Sequence, residues 1–218
     1  MSRILPEVVI YDVDLTITLP SALSATSGIN AMAHAIEALY AKDANPVVSM
    51  TAEEALGALA RSLPRIVADP ADIDARTEAQ YGAWLCGTCM GATTMGLHHK
   101  VCHVLGGAFD LPHAQTHTVM LPHVVAYNFD AAPDAMRRIA RALGATDAIA
   151  GLDTLWRALP VPRSLEAIGM PASGIDSTAD LVMRDPYPNP RPLERAPIVG
   201  MLTRAFRGAT SRVRTAHT

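Results

Sequence analysis

Aromatic residues are scarce in this chain. Two Trp, five Tyr and three Phe make up 5% of its 218 residues, although half of the residues are hydrophobic. A β-sandwich draws on aromatic and β-branched side chains, whereas abundant Ala packs helices closely, so the balance favours a helical protein. Cysteine is nearly missing too. Three residues, an odd number, do not make a disulfide framework, and reduced thiols in a cytoplasm are expected. There is no basic excess. A net charge of −3 gives nucleic acid no electrostatic footprint, and no acidic tail suggests disorder. No uninterrupted apolar run reaches the roughly 18–20 residues of a membrane span. The stretch MSRILPEVVIYD lacks the charged and then apolar pattern of a secretory leader. What remains is enough chain for one sizeable core, or one large domain with an appendage.

One stretch reads as a strand. Glu7 to Asp12, EVVIYD, is a β-branched run after a proline, and the sequence offers it no partner strand. From Thr26 onward the pattern is helical. Ile29, Met32, Ala33, Ile36 and Leu39 recur near a 3.6 period, with Thr26 or Ser27 as N-cap. Further helices are expected over 48–68, 72–94, the first histidines up to Gly106-Gly107, 112–127, 134–143, 148–158 and 191–207. Pro64 and Pro122 are expected to kink or shorten their helices. Four prolines in RDPYPNPRP, residues 184–192, mark an ordered loop. The fold class is therefore mainly α: a helical bundle domain over 13–218 behind a remnant strand over 1–12.

Five of the eight histidines fall within GLHHKVCHVLGGAFDLPHAQTH, residues 96–117. Residues four apart share a helix face. Asn30 and His34, His99 and His103, and His113 and His117 are three such pairs on three helical segments. Imidazoles at this density serve as metal ligands, proton donors or anion anchors, while any one of them taken alone is more simply a hydrogen-bonded core residue. CGTC, Cys86 to Cys89, has redox spacing without a βαβ context and reads as helix packing, and Cys102 as a small core residue. DVD, Asp12 to Asp14, looks like a hydrolase nucleophile motif, but the residues after it do not continue one.

SGINAMAHAIEALY together with GLHHKVCHVLGGAFDLPHAQTHTVMLPHVVAYN resembles the group-III, iron-containing alcohol dehydrogenases, and within them the maleylacetate reductases. YDVDLTITLP and DPYPNPRPLER extend the likeness over essentially the whole chain. The resemblance implies a C-terminal helical domain whose α/β partner domain, holding NADH or NADPH, is absent from these residues. It also implies a homodimer at full length and a small dicarboxylate as substrate. Carried over by position, the family's metal site, for Fe or Zn, falls on Asn30, His34, His99 and His113, with Asn30 standing where the family has a carboxylate. His103 and His99 become the catalytic imidazoles. Lys100 and His113 become substrate anchors, although Lys100 is as readily a solvated surface lysine.

No Gly-rich turn follows a strand in this sequence, so no cofactor-binding residue is named. Three readings stand at this point. One is the substrate half of a maleylacetate reductase, reducing maleylacetate to 3-oxoadipate in aromatic compound catabolism. The second is part of a metal-dependent alcohol dehydrogenase, and the third a non-catalytic helical domain that binds a partner. The chain itself is expected to be a truncation, a gene-model fragment or one piece of a split enzyme.

Overall fold

The computed structural model describes residues 8–209, and within them the regular structure is helical. Nine α-helices follow in order: α1 Ser21–Leu39, α2 Pro46–Ala68, α3 Ile73–Ala92, α4 Leu97–Phe109, α5 His113–Asn128, α6 Pro133–Ala142, α7 Ala148–Ala158, α8 Gly174–Arg184 and α9 Arg195–Arg207. Their starts follow local chemistry. The Asn45 side chain accepts hydrogen bonds from the Val47 and Val48 amides, and Pro46 opens α2 with its φ already set. Asp72 accepts from the Ala75 amide at α3, and Asp147 from the Ala150 amide at α7.

Two apolar cores share the middle helices. α1 is the spine of the larger, where Ile29, Met32, Ala33, Ile36, Leu56, Leu59 and Leu121 are sealed from solvent. The smaller joins α4, α5, α8 and α9 through Leu97, Val101, Leu105, Met120, Val124, Met201 and Leu202. α5 contributes to both. The junction of α1, α4 and α5 therefore lies where the two cores meet, and it is held from both sides.

Several boundaries differ from those expected. α1 begins five residues early, at Ser21, because small polar residues continue a helix that apolar period alone does not reveal; Thr26 lies inside it, its hydroxyl donating to Ala22 O at 3.0 Å. α2 continues past Pro64 to Ala68, and α5 runs through Pro122. α4 does not stop at Gly106-Gly107. It reaches Phe109, and Asp110 takes the left-handed position, φ 52°. α9 starts at Arg195, not 191, since the prolines keep 186–192 out of a helix. α8 was not anticipated: it opens on Gly174 and its apolar face is short. The front segment finds no partner strand among the described residues, as its isolation in the sequence implies. Val8 to Tyr11 carry no regular structure and stand exposed, and Glu7 lies outside the described residues.

Candidate functional site

α1 carries Asn30, His34 and Glu37 on successive turns of one face. Glu37 is the pivot. Its carboxylate is 1% exposed and accepts four hydrogen bonds, from the Gly96 amide at 2.8 Å, the His98 amide at 2.7 Å, the His99 amide at 3.4 Å and His99 Nδ1 at 2.6 Å. Three of those donors are the unsatisfied amides that begin α4. A buried anion there meets both free N–H groups and the positive end of the helix dipole. Gly96 must be small for this approach, because a Cβ there would lie 2.9 Å from Glu37 Oε1 and 2.9 Å from Pro188 O. With Nδ1 committed to Glu37, His99 has a fixed ring orientation, and its buried Nε2 has no partner.

Around His99 the other imidazoles gather in two layers. The open layer holds His34, whose ring centroid is 4.4 Å from that of His99, then His103 at 6.1 Å, and the exposed His113. Asn30, one turn before His34, has an unpartnered buried Oδ1. The deep layer holds His98 and His117, both sealed, with His98 Nε2 and His117 Nδ1 3.0 Å apart and Cys102 Sγ 3.7 Å from His98 Nε2. The His117 ring links the layers, 5.0 Å from His99 and 4.4 Å from His113. Lys100 is turned aside. Its ammonium lies 3.5 Å from Asp185 Oδ2 and 5.2 Å from the centre of the Tyr187 ring, so the structure pairs it with the proline-rich loop.

Crowding and burial keep most of these rings neutral. Desolvation, reinforced by His99, His113 and His103, lowers the pKa of His34 to about 4. His117 falls to about 2 by desolvation and the same neighbours, and His98 falls well below the ordinary value. His103 is lowered too, first by desolvation and then by His99 and His113. The protonated form is therefore not the resting state of these four at neutral pH. They offer neutral N–H groups instead.

The donor set inherited from the family does not fit iron as it stands. Asn30, His34, His99 and His113 supply one amide oxygen and three imidazoles, and no anionic ligand. Among the described residues, only His98, Cys102 and His117 place one ligand atom each within 4.8 Å of all the others; His34, His99 and His113 are not gathered so closely.

Glu37 was missed in the sequence. It sits three residues after His34 in HAIE, on the same helical face, and a carboxylate on an otherwise apolar face was the available signal. The buried partnership of His98 and His117 was also not anticipated, since helical phase turns His98 about 100° from His99. Cys86 and Cys89 are free, buried thiols with raised pKa values, the packing role expected of them. Tyr81 and Trp84, on the same helix as Cys86 and Cys89, are half exposed.

Comparison with known proteins extends this picture. The model of the Fe-containing alcohol dehydrogenase family, C-terminal part, matches residues 24–206. A maleylacetate reductase of Burkholderia cepacia is 54% identical over 207 residues, which are 95% of this chain and 59% of that protein. The crystal structure of a maleylacetate reductase from Agrobacterium tumefaciens superposes with a TM-score of 0.92 at 54% identity, again over 95% of this chain and 59% of the other. An iron-containing alcohol dehydrogenase from Corynebacterium glutamicum gives 0.92 at 43% identity over 96% and 59%. The chain thus spans about three fifths of the length of the relatives it matches.

Proposed function

The chain belongs to the Fe-containing alcohol dehydrogenase family, as its C-terminal helical domain, and on that premise we propose that it is the substrate half of a maleylacetate reductase. The observation that carries the reading is the His99 imidazole, clamped by Glu37, with an unpartnered Nε2 and the rings of His34 and His103 packed beside it. The described residues contain no strand with a Gly-rich turn, which supports assigning the dinucleotide to an α/β half. NADH or NADPH, bound to the α/β half, supplies the hydride.

This chain's residues do the rest. Reduction of a conjugated double bond next to a ketone places charge on the ketone oxygen. His99, its ring direction fixed by Glu37 before the substrate arrives, donates to that oxygen from Nε2–H as an imidazolium whose charge the buried Glu37 carboxylate balances. His103 is exposed and neutral at rest; it takes a proton from solvent and delivers it to the carbon that the reduction leaves as an enolate carbon. His113 and Lys100 meet the carboxylates, Lys100 by exchanging Asp185 for the substrate. The family's iron or zinc has no role in these steps. The enzyme is proposed to work as a homodimer in the cytoplasm, where three unpaired thiols remain reduced.

The test is maleylacetate-dependent oxidation of NADH. The 218-residue polypeptide alone should turn over negligibly, because most of the positioning of donor against acceptor comes from cofactor binding. Supplying an α/β half from a relative, fused ahead of Met1 or in trans, should restore turnover. Robust activity without it, or none with it in a soluble complex, overturns the assignment.

A further inference from the structure

The histidine motif contains two registers, one residue apart. His99 and His103 face the cleft from α4, with His113 opposite on α5. His98 and Cys102 repeat the i, i+4 spacing on the deeper side of α4, with His117 opposite on α5. The second set plays no part in the reaction proposed above. We propose that His98, Cys102 and His117 form a separate, buried binding site for one soft monovalent d10 cation of the Cu⁺ class.

Geometry supports this first. One ligand atom from each residue lies within 4.8 Å of the other two. A trigonal ion with bonds of about 2.0–2.1 Å to nitrogen and about 2.3 Å to sulfur holds N and S roughly 3.7 Å apart and N and N roughly 3.5 Å apart. Cys102 Sγ and His98 Nε2 are already 3.7 Å apart. His98 Nε2 and His117 Nδ1, now 3.0 Å apart in a hydrogen bond, need to open by about half an ångström.

Charge then selects the ion. His98 and His117 are fully buried and Cys102 is 2% exposed. Two neutral imidazoles and one thiolate cancel a single positive charge, so a monovalent complex is neutral where water does not reach. A divalent ion leaves one unit of charge buried, and the nearest carboxylate, Glu37, is already engaged by α4 and His99. Thiolate with imidazole is a soft set, which favours Cu⁺ over hard cations. On binding, the Cys102 S–H bond breaks and a sulfur–metal bond forms, the proton leaves to solvent, and no electron is transferred. Entry is through His113, which is exposed and whose ring centroid lies 4.4 Å from that of His117.

The experiment uses the 218-residue protein without oxygen, with Cu⁺ delivered as its bicinchoninate complex. One equivalent should transfer, and X-ray absorption should show one sulfur and two imidazole nitrogens around the ion. Cys102→Ser should weaken binding at least about 100-fold, while Cys86→Ala with Cys89→Ala keeps the equivalent. No transfer, a shell with two or more sulfurs, or unaltered affinity in folded Cys102→Ser each refutes the site. Should Cys102→Ser fail to fold, the absorption spectrum of the unaltered protein decides.

Discussion

His123 is 3% exposed on α5, its Nδ1 has no partner, and desolvation with help from Arg204 lowers its pKa to about 4. With His34 at about 4 and His117 at about 2, it sets a pH dependence of stability. In the unfolded chain each takes a proton near 6.5. The folded state resists until far lower, so the unfolded state binds more protons as the pH drops. The stability these rings contribute is complete above about 6.5 and is lost as the pH falls toward 4. Melting temperature should therefore decline on acidification across that window, and His123→Gln should flatten the decline; a melting temperature that is unchanged or rises from pH 7 to 5 contradicts this. Two substitutions address the chemistry. Asn30→Asp restores an anionic oxygen beside His34 and should raise Zn²⁺ affinity, read by calorimetry. In the enzyme complemented with its α/β half, His103→Ala should lower kcat by about 10²–10⁴-fold.

At the scale of the element, the N-terminus of α4 depends on one side chain from another helix. The position before α4 is Gly96, which offers no capping side chain, and Glu37 does that work from α1. Glu37→Ala leaves three amides and His99 Nδ1 without an acceptor and should destabilise the fold by about 3–5 kcal/mol in urea titrations. Glu37→Gln keeps the shape but turns an NH₂ toward N–H donors, and should cost about 1–3 kcal/mol. Gly96→Ala should cost a similar amount by pushing the carboxylate and Pro188 O apart. If Glu37→Gln is as stable as the unaltered protein, the capping role is wrong. The proline-rich loop is tied down equally specifically. Asn189 and Asn128 exchange amide hydrogen bonds at 2.9 and 2.7 Å, and Tyr127 OH donates to Pro192 O at 2.9 Å.

At the scale of the whole molecule, one side is unusually apolar. Val8, Val9, Ile10, Tyr11, Leu15, Leu19 and Leu23 are exposed at the front of the chain. Residues 12–19 are pinned to α3, where Gln80 donates to Asp12 O and Arg76 to Leu19 O, and the exposed Tyr81 and Trp84 follow on the next turns of that helix. Apolar surface of this extent on an isolated domain drives association. The 218-residue protein should therefore sediment as oligomers at micromolar concentration, and Ile10→Lys with Trp84→Lys should shift it toward monomer. A monomer that ignores both changes would show that this surface is inert.

The sequence by itself determined the helical class, the length of most helices and the identity of the histidine cluster. Those are local properties: a 3.6-residue period, caps such as Asn45 and Asp72, and pairs four residues apart are written in adjacent residues. It determined less where small polar residues carry a helix without apolar period, as at the start of α1, or where a short amphipathic turn is all there is, as in α8. It left Val8 to Tyr11 without a partner, and they form no ladder, since a strand is a relation between two segments and none of the described residues supplies the second. Only the tertiary structure decided which imidazoles are sealed and which face the cleft. Burial and mutual repulsion make His34, His98, His103 and His117 neutral, and neither is a property of spacing along the chain. The same holds for Glu37, which is an ordinary helical glutamate until α4 is packed end-on against it.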